Sequence, residues 1–529
     1  MGVWLNIAAR AASYGIAMAA VLASVATASE PLEPPDPTDP AVIERIDGFL
    51  QDELRDAGIP GLAVAIVADG KVVHVRGFGV ADETGRPVTP DTPFQLASVS
   101  KAFTATAIMQ LVARGDVELD APVTTYLPWF RVGDGTASAD ITIRQLLTHT
   151  SGITRDPWAA ASANDGDDDG ALERRIRSLA ATQLESLPGE RYAYSNPNFE
   201  VLGLVVQTVA GEPYDAYVER HIYQPLGMAH SHVLAADAFA DGASEGFYRW
   251  YGLVTAPWRT AYPRATGPAG VTFSSATDMA RWALFQLGHA GESGVLGATD
   301  IEAMHERGVQ YDERHWYGMG WVVRPLWETL ADPPEEGPIT DPVPDLVEHG
   351  GAWETAHTYV GLVPERDWGV VILANINDRT MSTRYYYTEL GVLNILSGGD
   401  PLEPSLFEPP VVRFGKPLVM LLFLLQLATI PLTILVVRRA RAGSRPHAAP
   451  IVALAGLALV VDAVVVYLLV VVAPAWFGVT TTQLFDAAPD VGPLMRVELV
   501  LAVVWAPVRT ILLLLVLRAP RHRAALTAG

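Results

Sequence analysis

The sequence predicts an α+β domain, in which an antiparallel sheet is flanked by helices and joined to a helical domain, followed by three transmembrane helices. Two β-rich runs, 61–68 and 71–80, stand near the start of the chain, and two more, 355–363 and 368–375, stand much later. Strands at both ends of a helical middle predict a sheet that early and late segments close together. Three apolar runs within residues 417–529 are each long enough to cross a bilayer.

Each pair of β-rich runs is joined by residues that favour a tight turn. Asp69-Gly70 lies between the first two runs, and a segment starting at Pro364 lies between the last two. The middle of the domain, about 120–287, is predicted as helical patches and loops. A buried helix is predicted from Ser98 to Gly115, because the apolar side chains that recur from Ala102 to Val112 leave little polar surface.

Lysine is rare in this chain, since only three of its 37 lysine and arginine residues are lysines. One of them, Lys101, follows Ser98 by three positions, so the two side chains share a face near the helix N-terminus. Lysine can lose its proton when desolvated, and a neutral amine can activate a serine hydroxyl. Ser98 and Lys101 are therefore a candidate nucleophile and base. The alternative is a surface serine and lysine on one helix face.

The loops around the apolar runs 417–437, 450–473 and 499–517 predict a topology. Arginines follow the first and third runs, whereas Asp486 and Asp490 lie between the second and third. By the positive-inside rule, the first and third spans end in the cytoplasm. The protein is thus predicted to be a multi-pass cell-membrane protein with an extracytoplasmic catalytic domain and a cytoplasmic C-terminus.

Two ionisable residues lie inside these runs, Asp462 in the second and Arg509 in the third. Measured from the same side at helical rise, their depths are about 18 Å and about 13 Å, a difference that an arginine side chain can reach across. The sequence therefore predicts that Asp462 and Arg509 pair across neighbouring helices.

The N-terminus is typical of an exported protein. Arg10, an apolar stretch and the small residues Ala26-Thr27-Ala28 predict a signal peptide, and an uncleaved anchor is the alternative. The predicted segments are a signal peptide or N-terminal anchor (1–29), a linker (30–40), the catalytic domain (41–400), a second linker (401–416) and the transmembrane domain (417–529).

Charge and composition exclude several classes of function. Residues 411–529 carry a net charge of +7, which leaves −29 on the first 410 residues, and this acidic part would repel nucleic acid. The absence of cysteine excludes disulfides, thiolate chemistry and cysteine-based metal sites. The run 165–170 copies half of a calcium loop but has Ile176 at its twelfth position, and His230-Ser231-His232 has no third ligand at helical spacing. A solvated acidic loop, no metal and no cofactor are predicted.

Two further short motifs follow Ser98 and Lys101 in the chain, Tyr194-Ser195-Asn196 and His349-Gly350-Gly351. Ser-x-x-Lys, Tyr-x-Asn and His-x-Gly in this order resemble the serine β-lactamase and penicillin-binding superfamily, and most closely its class C-like serine hydrolases. The resemblance extends to intervening segments, including 146–152, 225–228, 274–280 and 317–321. It implies the β-lactamase/transpeptidase-like fold.

The resemblance also implies roles for individual residues. Ser98 would attack a carbonyl with help from Lys101, and Tyr194 would transfer protons to the leaving group and from the deacylating water. Asn196 would bind a substrate amide or position Lys101. The backbone N–H groups of Ser98 and Ala352 would form the oxyanion hole.

The strand that carries the third motif departs from the drug-hydrolysing pattern. Gly350 and Gly351 would let a substrate approach closely. A Lys-Thr-Gly strand, however, binds the β-lactam carboxylate with a cation and a hydroxyl, and His349-Gly350-Gly351 has neither of them. His349 would act electrostatically or be a structural edge-strand residue. Strong β-lactamase activity is not expected.

The expected function is a membrane-tethered extracytoplasmic serine hydrolase that acts through an acyl-enzyme on ester or amide substrates. Narrower alternatives are a D-alanyl carboxypeptidase or esterase, or a β-lactamase, acting in the cell wall. An alternative of another class is an acylation-dependent membrane receptor, which the short loop 438–449 disfavours because it holds no effector domain. The expected partners are a small acyl or D-amino-acid substrate derived from the cell wall and the lipid bilayer. Aromatic clusters at Trp250-Tyr251, Trp258 and Trp316-Tyr317 would line an acyl cleft or belong to the core.

Overall fold

A computed structural model describes most of the chain in nine segments. These are residues 35–133, 135–154, 166–289, 294–326, 343–378, 382–402, 410–442, 447–477 and 480–518. The predicted signal peptide or anchor, 1–29, lies outside the described residues.

The described residues between 35 and 402, which we call the sheet domain, are built around a sheet that early and late segments close together, as predicted. β1 (Gly61–Ala68) pairs antiparallel with both β2 (Lys71–Gly79) and β12 (Trp368–Ala374). Asp69 and Gly70 between β1 and β2 have φ values of 50° and 69°, which suits a two-residue hairpin turn. β12 also pairs with β11 (His357–Val363), which confirms the second predicted hairpin.

The remaining strands of the described segments are β3 Phe94–Gln95, β4 Phe247–Trp250, β5 Val254–Pro257, β6 Phe273–Ser274, β7 Val309–Gln310, β8 Trp316–Tyr317, β9 Val322–Pro325 and β10 Asp345–Ala352. Within the described segments the central sheet has eight antiparallel strands in the order β2-β1-β12-β11-β10-β9-β8-β7.

Helices cover both faces of this sheet. All eight residues of β1 are buried, and they alternate between two cores. Ala63, Ala65 and Val67 belong to the core that contains Phe103 and Trp282, whereas Leu62, Val64 and Ile66 belong to the core that contains Ile46 and Leu393. Alternation of this kind follows from the two-residue period of a strand.

The helices before residue 410 surround the sheet and build the helical part. They are α1 Pro40–Asp56, α2 Ser100–Ala113, α3 Ile143–Leu147, α4 Ala171–Ser178, α5 Asn196–Ala210, α6 Tyr214–Val218, α7 Ala235–Ala240, α8 Gly267–Gly270, α9 Ala276–Gln286, α10 Ala298–His305 and α11 Ser382–Leu396. The sequence did not reveal that the region predicted as helical patches and loops also contains β6 and a hairpin of β4 and β5.

Three helical stretches near the C-terminus are long and apolar enough to cross a membrane, namely Arg413–Arg441, Ala455–Ala475 and Val491–Arg518. Their helices are α12 Pro410–Arg441, α13 Ala448–Tyr467, α14 Ala473–Phe477, α16 Val491–Val500 and α17 Ala506–Arg518, with α15 Thr481–Ala487 in the loop before the third stretch. The third stretch begins at Val491 rather than Leu499, so Glu498, which is 1% exposed, lies within it.

The predicted pair inside the apolar helices is confirmed. Arg509 forms a salt bridge with Asp462, and both side chains are buried. Gln426 of the first stretch donates a hydrogen bond of 2.8 Å to the second oxygen of Asp462. The carboxylate of Asp462 therefore links all three apolar stretches.

A second buried ion pair joins the sheet domain to the apolar helices. Lys416 Nζ lies 2.5 Å from Asp378 Oδ2, 3.1 Å from Asp490 Oδ2 and 2.6 Å from the hydroxyl of Tyr248. We name these four residues the Lys416 cluster. Lys416 belongs to α12, Asp490 precedes the third stretch, and Asp378 and Tyr248 belong to the sheet domain. The start of the first stretch and the start of the third stretch thus lie on the side of the sheet domain.

Candidate active site

Ser98 lies at a turn that the fold holds in an uncommon conformation. It is the middle residue of a short 3₁₀ helix, Ala97–Val99, which leads directly into α2. Ala97 has a φ of 47°, in the left-handed region that non-glycine residues rarely adopt. The Ser100 hydroxyl donates to the Ala97 carbonyl over 2.6 Å and so fixes the turn. Backbone strain of this kind persists where the surrounding structure dictates it, as it often does at active sites.

Lys101 points back at Ser98 from the first turn of α2. Its Nζ lies 3.1 Å from Ser98 Oγ, and the side chain is 0% exposed. The same Nζ donates to Asn196 Oδ1 over 2.8 Å and to the Ala269 carbonyl over 2.6 Å. These two oxygens can only accept hydrogen bonds, whereas the Ser98 hydroxyl can also donate one. A neutral amine that donates to Asn196 and Ala269 therefore turns its lone pair towards Ser98.

Tyr194 and Asn196 reach the site from the segment before α5. Asn196 is the first residue of that helix, and Pro197 follows it. Tyr194 is half-buried, and its ring centroid lies 4.9 Å from Lys101 Nζ. The Tyr-x-Asn motif thus brings both side chains to Lys101.

His149 supports this arrangement, although sequence reasoning gave it no role. Its ring packs on Tyr194 with centroids 4.3 Å apart. Its Nδ1 lies 3.1 Å both from the backbone N of Ser195 and from Asn198 Nδ2. The backbone of His149 has a φ of 56°. The residue lies in one of the segments that carried the family resemblance, and that was its sequence signal.

The end of β10 faces the Ser98 turn, where the oxyanion hole was predicted. Gly351 is buried, and a Cβ added there would come within 2.3 Å of the Leu96 carbonyl oxygen and 3.2 Å of Ala97 Cβ. Only glycine lets the strand approach the turn this closely. Gly350 and Ala352 are exposed on the opposite face of the strand. The first-turn N–H groups of a helix, such as that of Ser98, are available to an anion.

His349 is buried beside the site. Its Nε2 lies 3.1 Å from the Tyr317 hydroxyl, and its Nδ1 lies 2.8 Å from the Gly350 carbonyl. Burial and the nearby charge of Lys101 lower the pKa of His349 to about 4. The imidazole is therefore neutral near pH 7, and it does not supply the cation that a Lys-Thr-Gly strand offers. Tyr317, which belongs to one of the predicted aromatic clusters, is its buried partner.

The histidines and acidic residues weighed as metal ligands have protein partners. His230 and His232 both contact Asp241 Oδ2, at 3.0 Å and 2.9 Å. Asp168 of the acidic loop forms a salt bridge with Arg174, and Asp165 lies outside the described residues. Within the described segments, no group of three or more histidine, aspartate or glutamate side chains is arranged so that it could hold a metal ion.

Comparisons with known proteins identify the family and the fold of the chain. The Beta-lactamase family profile matches residues 46–392. The chain is 36% identical to Esterase EstB of Burkholderia gladioli over 330 residues, which are 55% of this chain and 81% of that protein. It is 28% identical to Protein flp of Staphylococcus aureus (strain MW2) over 335 residues, and it spans 63% of the length of that relative. The structure resembles that of the D-alanine carboxypeptidase AmpC from Burkholderia cenocepacia, with a TM-score of 0.53 and 26% identity over 68% of this chain and 99% of the other.

The sheet, the Ser-x-x-Lys turn and these matches define a serine hydrolase fold of the β-lactamase and penicillin-binding class. The family profile covers well over half of the chain. The chain belongs to the Beta-lactamase family, which confirms the predicted resemblance.

Proposed function

We propose that the protein is a membrane-tethered serine hydrolase that cleaves esters or amides through an acyl-enzyme on Ser98. The observation that carries this proposal is the 3.1 Å contact between Ser98 Oγ and the buried Lys101 Nζ. Two acceptor-only oxygens orient that amine, as described above. A serine and a base within hydrogen-bond reach, with the base held by a third group, is the arrangement of an activated nucleophile.

The proposed acylation uses this geometry. In molecules in which the Lys101 amine is unprotonated, it takes the proton of the Ser98 hydroxyl while Oγ bonds to the substrate carbonyl carbon. The N–H groups of Ser98 and Ala352 bind the oxyanion that forms. The carbonyl re-forms and the alcohol or amine leaves with a proton delivered through Tyr194. A water molecule then attacks the acyl carbon and gives its proton to Tyr194 and Lys101. The bond between the acyl carbon and Oγ breaks, Ser98 takes that proton back, and the acid leaves.

We further propose that esters are better substrates than β-lactams. Gly350 brings no hydroxyl to the cleft, and the lowered pKa of His349 leaves that residue neutral. A β-lactam carboxylate would therefore meet no cation from this strand. Esterase EstB, the relative with 36% identity, is named for ester hydrolysis. A D-alanyl carboxypeptidase is the second candidate, because the carboxypeptidase AmpC shares 26% identity over almost its whole length.

Membrane tethering with the hydrolase domain outside the cell is the third part of the proposal. Three apolar helical stretches support the tether, and arginines after the first and third of them support the orientation. Attaching a membrane-impermeant thiol reagent to single cysteines in intact cells tests the orientation. Val72→Cys on β2 should react, and Arg445→Cys should not.

Covalent labelling tests the catalytic proposal. The wild-type protein should react with a fluorophosphonate and hydrolyse p-nitrophenyl esters, and Ser98→Ala should do neither while remaining folded. A panel of short-chain esters, D-alanyl dipeptides and a chromogenic cephalosporin then ranks the substrates. Cephalosporin turnover equal to that of the best ester would contradict the ester preference. A stable acyl adduct without turnover would instead indicate the receptor class.

A further inference from the structure

The β4–β5 hairpin carries an exposed apolar tip that the catalytic site does not use. Its two strands are joined through Tyr251, Gly252 and Leu253. Leu253 and Val254 are each 61% exposed, and Tyr251 is 36% exposed. Moving large aliphatic side chains from water into an apolar medium is favourable, so side chains at such exposure are stabilised when an apolar phase covers them.

The tip lies between the starts of two apolar helical stretches. A Cβ added to Gly252 would lie 3.3 Å from Pro417 Cδ at the start of the first stretch. The backbone N of Tyr251 donates a hydrogen bond of 2.5 Å to Asp490 Oδ2, just before the third stretch. The Lys416 cluster lies directly behind these contacts, because Tyr248 of β4 bonds to both Lys416 and Asp490. The hairpin thus packs against the starts of the first and third apolar stretches.

The level of the tip relative to a bilayer follows from the length of the first span. Residues 417–437 carry no charge, and 21 helical residues extend about 31 Å. A bilayer has a hydrocarbon core of about 30 Å, so Pro417 marks the edge of that core. Gly252 of the tip lies next to Pro417, since a Cβ built on it would touch that ring, and the tip therefore lies at the same boundary.

Aromatic side chains surround the base of the hairpin at this level. The rings of Tyr248, Trp250 and Trp258 pack edge to face with centroids 5.1–5.9 Å apart. Tryptophan and tyrosine are enriched where a membrane protein crosses from headgroups to water. Trp250 and Trp258, which are partly exposed, have the position of an interfacial belt, whereas Tyr248 is buried behind them.

We propose that the hairpin tip, Tyr251 to Val254, enters the lipid surface beside the first and third spans. The partner is the bilayer itself, and the side chains of Leu253 and Val254 reach the boundary between headgroups and acyl chains. This inference rests on the proposed membrane tethering. A hairpin in the lipid surface fixes the hydrolase domain against the membrane at a third point besides the two span connections.

Single-cysteine fluorescence tests the inference, because the chain has no cysteine of its own. An environment-sensitive NBD label is attached to Val254→Cys, to Val72→Cys and to Leu424→Cys in full-length protein. Val72 is the matched control, since it is another exposed valine, 45% exposed, at the far end of the β1–β2 hairpin. At the other end of β1, Gly61 donates its N–H to Asn375 Oδ1, and the Asn375 carbonyl accepts from Phe247 at the start of β4. Six residues of strand, about 20 Å, therefore separate Val67, the partner of Val72, from the base of the β4–β5 hairpin. Leu424 lies in the first span and is 55% exposed.

Each labelled variant is reconstituted in phosphatidylcholine vesicles that carry a nitroxide either near the headgroup or near the chain end. We expect the Val254 label to be quenched at least twofold more by the shallow nitroxide than by the deep one, the Leu424 label to be quenched, and the Val72 label to be unaffected. A Val254 label that behaves like the Val72 label while Leu424 is quenched overturns the hairpin inference and leaves the tether standing. A blue-shifted Val254 label that neither nitroxide quenches is covered by protein and also overturns it. An unquenched Leu424 label overturns the tether and the hairpin inference together.

Discussion

Two of the three lysines of this protein are buried, and the difference between their surroundings separates a chemical role from a structural one. Lys101 contacts three uncharged oxygens, those of Ser98, Asn196 and Ala269. Lys416 instead forms salt bridges with two carboxylates, Asp378 and Asp490. Lys416 is thus part of a buried ion-pair cluster that joins distant segments, whereas Lys101 is placed beside a hydroxyl with which it can exchange a proton.

The most severe test of this comparison replaces Lys101 by arginine. Arginine keeps the positive charge and much of the length, but it cannot accept the Ser98 proton. We expect ester turnover by Lys101→Arg to fall by about two orders of magnitude or more, in line with the loss of a general base. The measurement is kcat for a p-nitrophenyl ester, with the amount of folded protein checked by circular dichroism. An arginine variant that keeps more than about a tenth of wild-type turnover would remove the base from Lys101.

The corresponding test of Lys416 should affect stability instead of chemistry. Lys416→Met leaves Asp378 and Asp490 buried without their cation, and breaking a buried ion pair in this way costs about 3–5 kcal/mol. We expect a lower unfolding temperature and weaker membrane accumulation, with kcat per fluorophosphonate-reactive site unchanged. Thermal unfolding and active-site titration measure the two effects separately.

The matched control for Lys416 is an ion pair that is exposed to water in the hydrolase domain. Arg55 and Asp52 form an ion pair whose side chains are 67% and 62% exposed. Exposed pairs contribute little to stability, so Arg55→Gln should unfold at nearly the wild-type temperature. If Arg55→Gln destabilises the protein as much as Lys416→Met does, burial is not the property that distinguishes the Lys416 cluster.

The membrane helices offer a pair that resembles the Lys416 cluster without touching the hydrolase domain. Asp462→Arg and Arg509→Asp should each lower membrane accumulation, because each puts two like charges together in an apolar bundle. The double exchange restores opposite charges and should recover most of the loss. Accumulation is scored by quantitative blotting of membrane fractions. Harmless single changes, or a double change that rescues nothing, would show that the buried contact has no effect on assembly.

Local sequence patterns were sufficient to predict that Lys101 lies beside Ser98, but not which residues surround Lys416. Ser98 and Lys101 are three residues apart on one helix, so the spacing alone brought them together. The partners of Lys416 come from residues 248, 378 and 490, and only long-range packing joins them. The β4–β5 hairpin was missed for a related reason, because strands of four residues are too short to show a clear two-residue period.

The protonation state of His349 was also beyond the sequence. The motif placed the residue at the site, but a lysine-like cation and a structural imidazole were both compatible with it. Burial and the charge of Lys101 both lower the pKa of His349 and favour the neutral imidazole, and neither is encoded in the His-x-Gly spacing. The family resemblance likewise included the segment with His149 without indicating that its ring packs on Tyr194.

The smallest expected effect uses His349 to report the charge on Lys101. Burial is the larger cause of its lowered pKa, and the charge of Lys101 is the second. His349 therefore stays neutral in the folded protein until the pH falls to about 4, whereas an unfolded histidine takes up its proton near 6.5, so folded stability contributed by this group declines as the pH falls between these values. Lys101→Met removes the charge at nearly constant volume, and the pKa of His349 should then rise but remain below 6.5, because the burial persists. Histidine NMR titration of the full-length protein in micelles measures the shift. Lys71→Met is the control, since Lys71 is exposed at the start of β2 and should leave the titration unchanged. Equal pKa values in wild type and Lys101→Met would mean that the charge on Lys101 does not reach the imidazole, and the contrast between the two buried lysines would then rest on turnover alone.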